Sequence, residues 1–206
     1  MSARFQLPLM LDGAQVRALV VGGGRVALRK VTSLRAGGAT VRVRALDIAP
    51  ELAARAIDDE QLLIERGDYE PDAIADATLV VAATDDHAVN ARVAAEARRR
   101  GRLTMVADDP LLGNCVAPAV HRTGDLVVAV SSGGVPGASA RVRDALALRL
   151  DGRYATAIRE LSDLRQRLLR AHDRSGWHSA ATALLADDFC ESVETGAFSE
   201  RLEQWR

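Results

Sequence analysis

Lysine is almost missing from this chain: Lys30 is the only one among 27 lysines and arginines. That scarcity excludes whole mechanisms, since there is no Walker A Gly-Lys-Ser/Thr, no Tyr-x-x-x-Lys dehydrogenase pair and no second amine for a Schiff base. Cysteine is equally sparse, and Cys115 and Cys190 are too few for a disulfide framework. No apolar run approaches the roughly 18–20 residues of a membrane span. A basic segment followed by an apolar one is missing from the N-terminus, so no signal peptide is expected. The four histidines, His87, His121, His172 and His178, stand at no metal-ligand spacing with cysteine or acid, so no fixed metal site is expected. A net charge of −1 supplies no basic field for nucleic acid. The expectation is a reduced, cytoplasmic protein that binds neither nucleic acid nor membrane.

What is present is ordinary in bulk and specific in order. The 206 residues, 48% hydrophobic and 27% charged, suffice for one core-forming domain plus further elements. Up to residue 107, short β-like runs alternate with helical ones. Val16–Val21, Thr40–Ala45, Leu62–Glu65, Ala77–Ala83 and Leu103–Ala107 read as strands. Val26–Arg35, Ala49–Ala56 and the stretch "HAVNARVAAEARRRG" read as helices. This alternation predicts an α/β, Rossmann-type, doubly wound parallel sheet. Around the turn "HRTGD" two apolar runs predict a β-hairpin. From Ala138 on the chain reads as helical, broken at Gly152 and at "DRSGWH" (173–178), with Leu161, Leu164, Leu168 and Leu169 on one face. The expected organisation is residues 1–112, 113–150 and 151–206: a nucleotide domain, a dimerisation region and a helical domain.

The run "RALVVGGGRVALRK" (17–30) places Gly22, Gly24 and Ala27 in the pattern G-x-G-x-x-G/A, between a strand and a helix. In that pattern the first glycine makes the turn, the second lets backbone approach a pyrophosphate, and the small third residue permits close packing. The helix N-terminus then faces the phosphates. A turn without ligand is the competing reading. Beyond the second strand, Asp47 favours the ribose hydroxyls of NAD, while Arg44 would suit a 2′-phosphate. Arg42 and Arg44 also read as solvated strand residues. In "AATDDHAVN", Thr84 and Asp85 are candidates to line the cofactor, and with Asp86 they are equally candidates to cap the next helix.

The fifth strand ends in "VADDP". Asp108 stands at its carboxyl end, where a partly desolvated carboxylate would have a raised pKa and could exchange a proton near neutral pH; a plain loop carboxylate is the alternative. A second polar loop, "VAVSSGGVPGASARVR", offers Ser131, Ser132, free N–H groups and Arg141 to a polycarboxylate, or is an ordinary strand-to-helix connection.

In this order the motifs "LPLMLDGAQVRALVVGGGRVALRK", "VVAATDD…VN", "VADDP" and "VAVSSGG…AR" resemble the precorrin-2 dehydrogenase family, the module that also forms the first part of siroheme synthase. The resemblance covers residues 5 to about 150. It implies a homodimer that uses NAD to oxidise precorrin-2 to sirohydrochlorin, with Fe²⁺ as a further substrate if the chain also carries the family's ferrochelatase activity. By the same resemblance Asp108 is the catalytic aspartate. Gly22, Gly23, Gly24, Arg25, Val26, Leu46, Asp47, Thr84 and Asp85 are the cofactor positions. The family's phosphorylatable serine falls on Ser132; Ser131, Ser132 and Arg141, with Arg122, are candidates to meet the substrate carboxylates, against ordinary surface placement. The chain departs from the family pattern at Met105, at "GNCVAP" (113–118) and at Val135–Gly137. A second class of function, an NAD-sensing module without catalysis, fits the glycine loop and helical tail equally; the "VADDP" and "SSGG" loops favour the enzyme.

Overall fold

A computed structural model describes residues 7–205. The first two residues of the resembling stretch, and most of the N-terminal segment read for a signal peptide, lie outside the described residues. The chain divides between Ala117 and Pro118 into two compact units.

The first unit is built on strands β1 (Arg17–Val21), β2 (Thr40–Ala45), β3 (Leu62–Arg66), β4 (Leu79–Ala82) and β5 (Leu103–Val106). Between them lie helices α1 (Arg25–Ala36), α2 (Pro50–Ile57) and α3 (His87–Arg99). All pairings are parallel, in the order β3-β2-β1-β4-β5. Parallel strands need crossovers, and crossover helices cover both faces of the sheet. Central strands therefore read as unbroken apolar runs. In β1, Ala18 and Val20 pack with Val31 of α1 and Leu52 of α2, whereas Leu19 and Val21 pack with Val93, Ala94 and Ala97 of α3. The two-residue period of one strand thus feeds two hydrophobic layers.

The strands and helices stand where the sequence pattern puts them, with ends shifted by a residue or two. Arg42 and Arg44 differ from the expectation. They are only partly exposed and are engaged by the fold: the Arg42 guanidinium donates to Ala73 O at 2.6 Å, and Arg44 Nε donates to Asp68 O at 2.8 Å. Both also face Glu65 on β3, at 3.8 and 3.9 Å. Edge strand β5 is bordered by a side chain: Thr104 N donates to Asn114 Oδ1 at 2.7 Å, and Asn114 Nδ2 donates to Arg102 O at 2.9 Å.

In the second unit β6 (Ala119–Thr123) and β7 (Leu126–Val130) form the antiparallel hairpin. Helices α4 (Pro136–Arg149), α5 (Gly152–Arg170), α6 (Arg174–Leu184), α7 (Phe189–Thr195) and α8 (Ala197–Glu203) follow. Gly152 does break the helical run, but as the first residue of α5, with Asp151 accepting from Arg153 N at 2.9 Å. The segment "DRSGWH" is not itself a break. Asp173 caps α6 by accepting from Gly176 N at 2.7 Å, and the rest of the segment is helix. Tyr154, Leu161 and Leu164 of α5 bury against Leu184, Val193, Phe198 and Leu202, and Leu168 joins them. Leu169 is half-buried. No helix among the described residues is long and apolar enough to cross a membrane.

Leu19 has no exposed surface in the middle of the sheet. Leu19→Ala is expected to lower the unfolding free energy by about 2–5 kcal/mol, read from urea denaturation of the whole chain.

Candidate functional site: a dinucleotide cleft with an Asn-Asp-His cluster

In a parallel sheet of order 3-2-1-4-5 the direction of winding reverses between β1 and β4, and a crevice opens there at the carboxyl ends of the strands. The loops after β1, β2, β4 and β5 all leave from that edge. They carry Gly22–Gly24, Leu46 and Asp47, Thr84 and Asp85, and Asp108 respectively.

The three glycines have different causes. Gly22 sits at φ +120°, and a Cβ there would lie 2.3 Å from Ala83 O, so both the backbone and its neighbour demand glycine. At Gly23 a Cβ would come 2.1 Å from Asp47 O, because the glycine loop and the loop after β2 are pressed together. Ala49 N donates to Gly23 O at 2.9 Å and closes that contact. Around Gly24 there is nothing within 4 Å of a built Cβ. Neither packing nor a positive φ requires glycine at this position. Over the N-cap of α1 there is open space, where no side chain caps the first turn and no acid stands, so the helix start has room for an anion. Ala27, without exposed surface, packs α1 onto the sheet. Arg25 is exposed and Val26 is 40% exposed, so both border the opening.

After β2, Ala45 closes the core while Leu46 and Asp47 stand in solvent. Arg44 points its guanidinium over Gly67 and uses Nε on Asp68 O. The Arg44 guanidinium is therefore committed to β3 and the turn after it.

After β4, Asp86 caps α3, accepting from Ala88 N at 2.7 Å and Val89 N at 3.2 Å. Asp85 is exposed and has no part in the cap. Thr84 is held by Asn90, a residue with no exposed surface. Asn90 Oδ1 accepts from Thr84 N at 3.1 Å and from Thr84 Oγ1 at 2.8 Å. Its Nδ2 donates to Thr84 O and to Asp108 Oδ1, both at 3.0 Å. Every donor and acceptor of the amide is used, which also fixes which way it faces.

Asp108 completes the cluster. Its second oxygen, Oδ2, lies 2.8 Å from His87 Nδ1. A carboxylate only accepts, so Nδ1 carries the proton. Burial pushes the Asp108 carboxyl up, but the hydrogen bonds from His87 and Asn90 outweigh it and hold the group below the usual 3.8. The raised value expected from the sequence is thereby corrected, because two donors, one of them buried, compensate the desolvation. His87 is raised above 6.5, first by its bond to Asp108 and then by the charges of Asp108, Asp109 and Asp86. The sign of the pH dependence follows. The Asp108 contribution is present above 3.8 and fades as pH falls through its depressed value. The His87 contribution is full below 6.5 and fades as pH rises through its raised value.

His87 and Asn90 are the two residues of this cluster that the motifs did not single out. Both lie inside "AATDDHAVN", but only the fold carries that loop to the end of β5. Ser131, Ser132 and Arg141 belong to the second unit. There Ser132 Oγ donates to Val135 O at 2.6 Å and lies 2.7 Å from Ser139 Oγ, while Ser131 and Arg141 are exposed. Among the described residues no group of three or more His, Cys, Asp or Glu side chains is arranged to hold a metal ion.

A parallel sheet with a glycine-cradled helix N-terminus at its switch point defines a Rossmann-type dinucleotide-binding protein. A family model described as "Putative NAD(P)-binding" matches residues 9–119, and the chain belongs to that family. It is similar to siroheme synthase of Chromobacterium violaceum, 38% identical over 199 residues, covering 94% of this chain and 42% of the relative. Siroheme synthase of Pseudomonas entomophila is 40% identical over 200 residues, covering 95% and 40%. The chain thus spans less than half the length of these curated relatives. Among solved structures, "SirC, precorrin-2 dehydrogenase" superposes with a TM-score of 0.77 at 27% identity, covering 97% of this chain and 100% of that one. The resemblance read from the motifs is met by both kinds of match.

The different causes of the glycines can be separated. Gly24→Ala is expected to leave the thermal midpoint unchanged while weakening NAD binding roughly tenfold or more, since each 1.4 kcal/mol is a factor of ten. Gly23→Ala is expected to lower the midpoint itself, because the clash is with backbone; calorimetry and NAD titration on both variants check this.

Proposed function

We propose that this chain is an NAD-dependent dehydrogenase that oxidises precorrin-2 to sirohydrochlorin. The observation that carries the reading is the coincidence of a dinucleotide cleft with an ordered carboxylate–imidazole pair at its rim. The match to SirC over the whole of that chain supplies the substrate. Bound NAD⁺ would supply a hydride acceptor at the carboxyl edge of the sheet. The residues of this chain would do the rest.

The N-terminus of α1 and the backbone at Gly22–Gly24 hold the pyrophosphate, with Arg25 and Val26 at its border. Asp47 accepts from the adenosine ribose hydroxyls, and the exposed Leu46 gives the adenine ring an apolar surface. With Arg44 already committed, NAD is favoured over NADP. Thr84 and Asp85 flank the nicotinamide half. Asp108 stands at the end of β5, where loss of a hydride from the substrate must be matched by loss of a proton, and the Asp108 cluster receives that proton.

Half-buried Val127, Val128 and Val130 of the hairpin support a homodimer formed around residues 113–150. Two free cysteines, Cys115 and Cys190, support a reducing, cytoplasmic setting. Ser131, Ser132 and Arg141 are the candidate contacts for the tetrapyrrole carboxylates. If Fe²⁺ is a further substrate, the same acceptor would take the pyrrole protons that metal entry displaces.

Purified protein incubated with precorrin-2 and NAD⁺ is expected to produce NADH and sirohydrochlorin absorbance together. Asp108→Asn is expected to lower turnover by 10²-fold or more while NAD still binds. NAD binding without either product would favour a sensor. Iron uptake into supplied sirohydrochlorin, with and without Asp108, decides the second activity.

A further inference from the structure

The side chain that lies closest to Asp108 played no part in the motif reading. We propose that His87 is the group that takes the proton in the oxidation, with Asp108 as the carboxylate that positions it. This deepens the dehydrogenase reading and rests on it.

The geometry separates the two roles. Both oxygens of Asp108 are engaged, Oδ1 by Asn90 Nδ2 at 3.0 Å and Oδ2 by His87 Nδ1 at 2.8 Å. Asn90 has no exposed surface, so this carboxylate is anchored from inside the domain. His87 is the outward member of the pair: 68% of its side chain is exposed, against 35% for Asp108. Because Nδ1–H is given to Asp108, the lone pair of the neutral ring lies on Nε2, the nitrogen on the far side of the ring from the carboxylate. The backbone of His87 is fixed as well, as the first residue of α3 behind the Asp86 cap.

The charges around the ring suit the task. Asp108 and Asp109 from the loop after β5, and Asp86 from the turn before α3, all favour imidazolium. The positive end of the α3 dipole opposes them. The balance raises His87 and depresses Asp108. Of the two groups the carboxylate is then the weaker proton acceptor and the imidazole the stronger, as a general base requires.

The step balances. The C–H bond broken in the substrate gives its hydrogen and electron pair to the nicotinamide as hydride. A second hydrogen leaves the substrate as a proton and bonds to His87 Nε2. Its former bonding pair stays behind as the new double bond of the conjugated macrocycle. NADH and an imidazolium paired with the Asp108 carboxylate result, and the imidazolium returns its proton to water through the exposed edge of the ring.

Two measurements test this on the full-length protein. In steady-state oxidation of precorrin-2 across the neutral pH range, kcat is expected to rise as His87 deprotonates. His87→Gln is expected to lower kcat on the order of 10²-fold, abolish that limb and leave the KM for NAD⁺ unchanged. In histidine NMR without substrate or NAD, the His87 ring, assigned by its loss in His87→Gln, is expected to titrate above 6.5. In Asp108→Asn it is expected to fall back towards that value. Full turnover with the limb retained in a folded, NAD-binding His87→Gln protein would overturn the assignment and leave Asp108 as the acceptor. A His87 ring that titrates at its ordinary value in the wild type would overturn the pair. If the wild type oxidises no precorrin-2 while the NMR shift is present, the dehydrogenase reading fails and this role with it, although the pair stands. The two failures are thus told apart.

Discussion

Strand β1 has a neighbour on each side and a helical layer on each face, and four of its five residues are buried. Much of the first unit depends on that burial. A strand enclosed on four sides can open to solvent only at its ends, and in a parallel sheet all carboxyl ends lie on one edge. The reversal of winding on either side of β1 leaves a gap at that edge. The glycine loop, Asp47, Thr84 and Asp108 come from four different parts of the chain, yet the same enclosure delivers them to one rim.

Position at the rim does not by itself order a side chain. Asn90 does that. It is buried on α3, and its amide uses both donors and both acceptors on the Thr84 loop and Asp108. An unpaired amide so deep in the domain would cost about 1–3 kcal/mol, so the network is held together by the expense of breaking it. Through Asn90 the loop after β4 and the loop after β5 form one rigid piece, and His87, three residues earlier on the same helix, closes over the carboxylate. Desolvation and hydrogen bonding act in opposite directions on Asp108, and hydrogen bonding prevails. The same bonds that depress the carboxylate raise the imidazole, so of the two the imidazole is the stronger base.

The glycine loop shows how one motif can mix causes. At Gly22 and Gly23 the backbone of Ala83 and Asp47 occupies the space a side chain would need. Gly24 has open space around it, so no neighbour in the protein explains its smallness. Arg44 is the complementary case: its charge suited a 2′-phosphate on paper, but Glu65 and the Asp68 carbonyl hold it on the opposite side of β2.

The sequence by itself determined the alternation of strands and helices, the parallel sheet, the hairpin and the helical tail. Periodicity of apolar residues reports burial directly, and burial dominates the choice of element. It also placed Gly22, Gly24, Asp47 and Asp108 just after the carboxyl ends of successive strands. Ends of elements were less legible: the helical run breaks before Gly152 and again at 171–173, where Asp151 and Asp173 cap the helices that begin next. Only the tertiary structure decided the state of the site. The His87–Asp108 and Asn90–Asp108 contacts join residues 21 and 18 positions apart, and no local pattern encodes a hydrogen bond between the first turn of α3 and the loop after β5. The directions of the His87 and Asp108 shifts and the buried role of Asn90 follow from those contacts, which exist only once β4 and β5 lie side by side, and the fate of Arg44 follows from the pairing of β2 with β3.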